Sequence, residues 1–500
     1  MLEKRSRLEF AGLLPSKEFT SLEGDHWFLF NPGQIGITVI GMEDLNTGLT
    51  LTSELTNPEI RTASLKAWAG ARHSRSPNAP WDILKEIHDK DVDPDKKMGQ
   101  MFADYGHASV ADMASLQVDF VDAPMHLCFQ MFALSAINSG QEKSTRYQGD
   151  FSKTELHPIE HYLPSMTDSK DLLLAQSEYQ KLADQSLDIY ARNKTLMERA
   201  FTDHFKPLGK KELDSLNSRV LDCVRSALLF GNLSGMSFES SARDFSRIIS
   251  ILKSSPVDFY QKVGDQLERF LAPSVELEQM MHFKAEAPSL IRHTEASTQV
   301  NGNINSLAEF LITKTNLLRS VKINTQQIGF TDQQIELISD SNFSADERMI
   351  AQYILSIWPG MDIKALHEWV KNQPSTAKGE ISTIIYNGHD NYHELSEISR
   401  TSNMTLHLGA SIGEVRDLNR HRAWGRFVTL PTIFGRPIDI NTAHQILAKG
   451  FILPAYFTEI EEFKGVGKLF QADLEIIIRT FMNFWDSWKE LLQTQLITHL

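Results

Sequence analysis

Cysteine is nearly absent from this chain of 500 residues: only Cys128 and Cys223 occur, both inside apolar stretches with helical spacing, HLCFQMF and LDCVRSALLF. Two thiols so placed argue against a disulfide framework or a thiolate metal cluster, and they point to a reducing compartment, the cytoplasm. Long apolar runs are missing too. Nothing approaches the roughly 20 residues that span a bilayer, and the N-terminus MLEKRSRLEF has no signal-peptide core, so no membrane partner is expected. Basic charge is in deficit, with 50 Lys and Arg against 64 Asp and Glu, which gives a net charge of −14. Without a basic stripe the chain lacks the electrostatic attraction that holds a nucleic-acid polymer. Small anions stay open as ligands.

What is present is ample core-forming material, 41% hydrophobic residues over 500 positions, enough for two or more domains. There is also an internal repeat. FADYGHASVADMASLQVDFVDAPMHLCFQMFALSAINSGQEKSTRYQ (102 to 148) and IIYNGHDNYHELSEISRTSNMTLHLGASIGEVRDLNRHRAWGRF (384 to 427) share an order of features. Each has a helical lead-in, a Gly-His dipeptide (Gly106 and Gly388), an alternating stretch and an apolar helical stretch. In the first copy Leu116, Val118 and Phe120 alternate as in a half-buried strand; Pro124 then marks a helix start, and MHLCFQMFALSAI follows with helical spacing. The second copy runs from strand-like NMTLHL into helical GASIGEVRDLNRHRAW. Long helical patterns lie between and after the copies: DLLLAQSEYQKLADQSLDIYARNKTLMERAF, ELDSLNSRVLDCVRSALLF, SARDFSRIISILK and FQADLEIIIRTFMNFWDSWKELLQTQLITHL. The expected fold is α+β, mostly helical, with a small antiparallel sheet in each of two tandem copies. We expect the first copy over 1–282, a linker and helical connection over 283–345 and the second copy over 346–500.

Several motifs offer chemistry. DLNRHRAWGRF (417 to 427) sets Arg420, His421 and Arg422 side by side, mutually repelling groups that suit either a solvated helix end or a bound anion. GASIG (409 to 413) fits the nucleophile elbow of serine hydrolases, with Ser411 as nucleophile, although the long helices elsewhere do not fit that fold. His389 and His393, with Glu394 and Glu397 nearby, have metal-ligand spacing if helical, but Gly388 and Asn391 make the stretch loop-like, and no metal is expected. GVGK (465 to 468) lacks the rest of a phosphate loop.

Taken jointly, these residues resemble the flavin-dependent thymidylate synthases, whose signature is R-H-R followed by S-x-R-Y, with G-H-x-S/T-x-x-E upstream. The second copy has Gly388, His389, Asn391 and Glu394 upstream and Arg420, His421 and Arg422 as R-H-R. The first copy has Gly106, His107, Ser109 and Asp112 upstream, and Gln141, Glu142, Ser144, Arg146 and Tyr147 at the S-x-R-Y end. There Ala133, Leu134 and Ser135 stand in place of R-H-R, while Gln130 keeps a substrate-contacting glutamine. The second copy has Pro431 and Ile433 where Ser and Arg belong, and Asp417 in place of the glutamine. Downstream, VRSALLFGNLSGMSFESSARDFSRIISILK resembles a further conserved region, which places Arg225 on the nucleotide and Ser241, Ala242 and Arg243 beside flavin. Leu252, with Lys253 next to it, stands where the family has the arginine that polarises uracil. The second copy's equivalent of this region would begin at LLQTQLITHL, so a longer natural protein is expected.

The resemblance implies FAD as cofactor, NADPH and methylene-tetrahydrofolate as co-substrates, and transfer of a one-carbon unit to C5 of a uridine monophosphate such as dUMP. It implies one composite site, because each copy keeps what the other lost. Ser144, Arg146 and Arg420 would act on the reacting nucleotide. Gln130, Glu142, Tyr147 and Arg225 would bind it; Arg420, His421, Arg422, His107, Ser109, His389, Asn391, Glu394, Ser241 and Arg243 would hold flavin. Arginine suits phosphate because its planar fork binds two oxygens and stays charged. No cysteine nucleophile is required. Self-association is expected, as a homodimer of tandem chains. The alternative is a degenerate homologue that binds flavin or nucleotide with a changed substrate or a regulatory role.

Overall fold

The computed structural model describes residues 15–21, 24–30, 36–90, 92–105, 108–135, 138–144, 155–162, 169–255, 257–321, 335–338, 343–358, 361–388, 405–408, 453–454 and 456–488. The chain divides into two compact units interleaved in sequence. The first comprises Met1–Ala123, Leu134–Glu142 and Ser234–Ser297; the second comprises Pro124–Ala133, Lys143–Leu233 and Thr298–Leu500.

The first unit is built on a seven-stranded sheet of β1 (Lys17–Thr20), β2 (Asp25–Phe30), β3 (Thr38–Asp44), β4 (Thr50–Leu55), β5 (Ser115–Pro124), β6 (Ser139–Glu142) and β7 (Leu233–Ser241). The strand order is β1-β2-β3-β4-β5-β7-β6. The first four strands form an antiparallel meander, β4 pairs antiparallel with β5, and β6 with β7. The turn between β3 and β4 is set by Asp44, which accepts from the amides of Asn46 and Gly48, and Gly48 takes the left-handed conformation that a side chain resists. One face of the sheet is apolar. Along β5 the alternation expected from Leu116, Val118 and Phe120 holds, with all three buried and Ser115 and Gln117 exposed.

Helices α1 (Thr62–His73), α2 (Pro80–Asp89), α3 (Pro94–Tyr105), α7 (Ala242–Lys253), α8 (Asp258–Leu271) and α9 (Val275–Met281) complete this unit. Trp27 on β2 stacks on Phe270 of α8 at 5.8 Å, and Phe238 on β7 meets Phe245 of α7 edge-on at 5.6 Å. The stretch after α9 is packed: Phe283, Ala285, Ala287, Leu290 and Ile291 are buried. Arg61 fastens it, donating to the Ala285 carbonyl at 2.6 Å while bridging to Glu278.

The second unit is helical, consisting of α4 (Met125–Leu134, up to Ala133), α5 (Ser169–Phe205), α6 (Lys210–Val224), α10 (Thr298–Lys314), α11 (Leu317–Ser320), α12 (Ala345–Ile357), α13 (Ile363–Lys371), α14 (Ser375–Ile385), α15 (Tyr456–Glu459) and α16 (Glu461–Trp488). A two-stranded antiparallel sheet pairs β8 (Ile335–Ile338) with β9 (Thr405–Leu408), the latter within the strand-like NMTLHL. Helices α5 and α16 run antiparallel. Trp488 donates to Glu178 at 2.6 Å at one end, Phe201 stacks on Phe463 at 4.9 Å at the other, and Asp473 between them accepts from Arg192 and Asn193 at 2.6 and 2.7 Å. The molecule is thus mostly helical with antiparallel sheet. None of its described helices is long and apolar enough to cross a membrane.

Candidate functional site

In the first unit, β7 passes directly into α7, where the side-chain period changes from 2 to 3.6. Ser241 makes that corner. Its backbone is extended, and its hydroxyl accepts from the Asp244 amide at 3.2 Å, capping the helix. Ala242, Phe245, Ile248, Ile249 and Leu252 then form the buried face. This face leaves Arg243 exposed, 3.1 Å from Asp112. Asp112 lies in a 3-10 helix over Ala108–Met113 that also carries Ser109, likewise exposed, and the Ala242 amide donates to the Ala114 carbonyl just beyond it at 2.8 Å. Two segments far apart in sequence, both assigned to flavin by motif resemblance, are therefore in contact.

The donor set fits an anionic cofactor in kind. The N-terminus of α7 supplies the positive end of a helix dipole, Arg243 supplies a guanidinium and Ser109 a hydroxyl. Asp112 offsets part of that charge.

Behind this corner is a buried polar hub that the sequence reading missed. Asp244 accepts from the hydroxyls of Ser135 and Ser240, the latter at 2.7 Å, and from Arg247 through Nε at 3.2 Å and Nη2 at 3.1 Å. Arg247 also donates to the Leu134 carbonyl, and Asn138 donates to the Ser135 carbonyl at 2.9 Å. A local signal existed in S-x-x-D, serine at the cap with an acid three residues on. Residue Glu142 of β6 is buried and sits opposite Met236, while Gln141 sits opposite Ser237.

Leu252 and Lys253 close α7. Leu252 is fully buried. Lys253 bonds Glu268 and lies 3.1 Å from Asp265, both on α8, and its stem covers Gly264, where an added Cβ would fall 2.9 Å from Lys253 Cγ. Burial alone would lower the Lys253 ammonium, but the Glu268 and Asp265 carboxylates override it and hold it above its ordinary range. Burial likewise opposes the charge on Glu268, and the bonds from Lys253 and Thr294 outweigh it, so that carboxyl is lowered.

In the second unit, α4 carries Gln130, which is buried. Its first turn is anchored by Met125 and His126, whose amides donate to the carbonyls of Asn232 and Phe230 at 3.0 and 3.1 Å. Arg225 follows α6 in a single 3-10 turn and pairs with Asp222 at 3.3 Å. Ser144 is half-buried. Cys128 and Cys223 are both buried, and burial raises the Cys223 thiol, which contacts the Tyr456 hydroxyl. Gly388 ends the turn after α14 with φ of +73°. His107, Arg146, Tyr147, His389, Asn391, Glu394, Ser411, Arg420, His421 and Arg422 lie outside the described residues.

No protein-family model and no curated protein matches the chain. Among solved structures, it is similar to a flavin-dependent thymidylate synthase from Helicobacter pylori complexed with FAD and dUMP, at 11% identity and a TM-score of 0.27, over 44% of this chain and 93% of that one. A second structure of thymidylate synthase X from Helicobacter pylori, also with FAD and dUMP, matches at 11% identity and 0.26, over 46% of this chain and 95% of that one. Similarity at this level assigns neither a family nor a function.

Proposed function

We propose that the chain binds FAD and a uridine monophosphate and transfers a one-carbon unit from methylene-tetrahydrofolate to C5 of the uracil. The observation that carries this reading is the contact between Asp112 and Arg243, which joins two segments that the family resemblance assigns to flavin. Bound FAD would supply the redox chemistry, reduced by NADPH. The protein's part is binding and orientation: arginine forks on phosphate, the α7 N-terminus toward negative charge, and buried Gln130 and Glu142 toward the nucleotide. The R-H-R of one copy complements the S-x-R-Y of the other, so one composite site per pair of copies is the expected arrangement, in a homodimer.

The test is calorimetric titration of dUMP with FAD present. Arg146→Ala and Arg420→Ala should each abolish binding, since Ile433 and Ala133 leave neither copy a substitute. Full affinity in either variant would contradict the composite site.

A second reading is favoured by Leu252 and Lys253. Neither offers a cation for uracil, because one is apolar and the other is committed to two carboxylates. In that reading the chain binds flavin and nucleotide without methylating it. Chromatographic assay for dTMP from dUMP, methylene-tetrahydrofolate and NADPH separates the two readings.

A further inference from the structure

The first copy has Ala133, Leu134 and Ser135 where R-H-R would stand, yet this part of the fold is not without a guanidinium. Arg247, in the second turn of α7 and only 14% exposed at its side chain, reaches the Leu134 carbonyl while its fork closes on Asp244, which is 6% exposed. Asp244 in turn accepts from Ser135, and Ser135 is tied by its carbonyl to Asn138, immediately before β6. The same Asp244 receives Ser240 and gives its own amide to Ser241, the residues that turn β7 into α7. One buried ion pair thus joins the corner carrying Ser241 and Arg243 to the segment leading into Gln141 and Glu142.

We propose that Asp244 and Arg247 are positioning residues that set β6 against the Ser241–Arg243 corner. This rests on the flavin and nucleotide reading above. An apolar pair would fill the space but would not fix direction. The planar guanidinium imposes two bond directions on Asp244 and a third on Leu134, so strand and helix corner share one geometry. Removing either partner leaves a buried charge without its counter-ion, so the segment shifts to find another.

The experiment compares three proteins. Arg247→Lys keeps the charge but loses the fork. Arg269→Lys makes the same chemical change at another fork of the same unit, where Arg269 bridges Asp25 and Asp44. Each is read by thermal melting, by dUMP titration with FAD present, and by amide exchange over 138–142. The expected result is that Arg247→Lys weakens dUMP about tenfold or more and speeds exchange over 138–142, whereas Arg269→Lys lowers the melting temperature and leaves dUMP affinity unchanged. Ser135→Ala removes one donor to Asp244 without touching the ion pair, and should give a smaller loss in the same direction if Arg247→Lys does not fold. If Arg247→Lys or, failing that, Ser135→Ala binds dUMP as wild type does, or if dUMP affinity falls with stability alike in both arginine variants, the positioning role is wrong. If wild type itself binds neither FAD nor dUMP, the functional reading falls and the positioning role with it, an outcome distinct from a normal wild type with an unaffected variant.

Discussion

Arg243 lies 3.1 Å from Asp112, and both side chains are more than two-fifths exposed. An ion pair so open to water contributes less than about 1 kcal/mol to folding. Its value for function is different, because Arg243 would reach a cofactor anion with its donors already oriented. Arg243→Ala should therefore leave the melting temperature nearly unchanged and weaken FAD about tenfold, as read by fluorescence titration. Equal FAD affinity in the two proteins would remove Arg243 from the site.

The Lys253–Glu268 pair gives a pH signature. Glu268 is lowered in the folded protein, so its contribution is fully present above the ordinary carboxyl value of 4.5 and is lost as pH falls below it. Lys253 is raised, so its contribution is present below 10.5 and is lost as pH rises beyond its folded value. Lys253→Met should lower stability near neutrality and make the acid-side fall below pH 4.5 shallower than in wild type. Parallel curves of melting temperature against pH for the two proteins would show that Lys253 is not held by these carboxylates.

Asp473 is buried between Arg192 and Asn193, on the line where α5 and α16 meet. Asp473→Ala removes the carboxylate from Arg192 and leaves Asn193 only the Ile189 carbonyl, and should cost about 2 to 4 kcal/mol in chemical denaturation, whereas Asp473→Asn should cost less. A loss below about 0.5 kcal/mol for Asp473→Ala would contradict the antiparallel register described for these helices.

Local patterns carried much of the fold. The alternation of Leu116, Val118 and Phe120, the helix start after Pro124 and the long period of α5 are each set by near neighbours, so they can be read from sequence. The N-terminal meander was missed although β3 and β4 flank an Asn-Thr-Gly turn, because short apolar runs such as WFLF in β2 and VIGM in β3 do not alternate strictly and carry no period that marks a strand. Of the Asp244 hub only the Ser241 cap has a local signal. Ser135 and Asp244 are 109 positions apart, and no local pattern encodes a contact made only when the first turn of α7 meets the segment that leads into β6. Lys253 shows the same limit: the sequence places it next to Leu252, and only the fold shows it paired with Asp265 and Glu268.

Whether this chain is a flavoprotein is tested most directly by the visible absorbance of the purified protein. Protein purified or reconstituted with FAD should show the two bands of bound oxidised flavin, bleached by NADPH or dithionite and strongly reduced in Arg422→Ala, where the loss of a charge-assisted contact costs about 1.5 to 3 kcal/mol of binding. A colourless protein that takes up no FAD on reconstitution, with the fold intact by circular dichroism, would contradict the account.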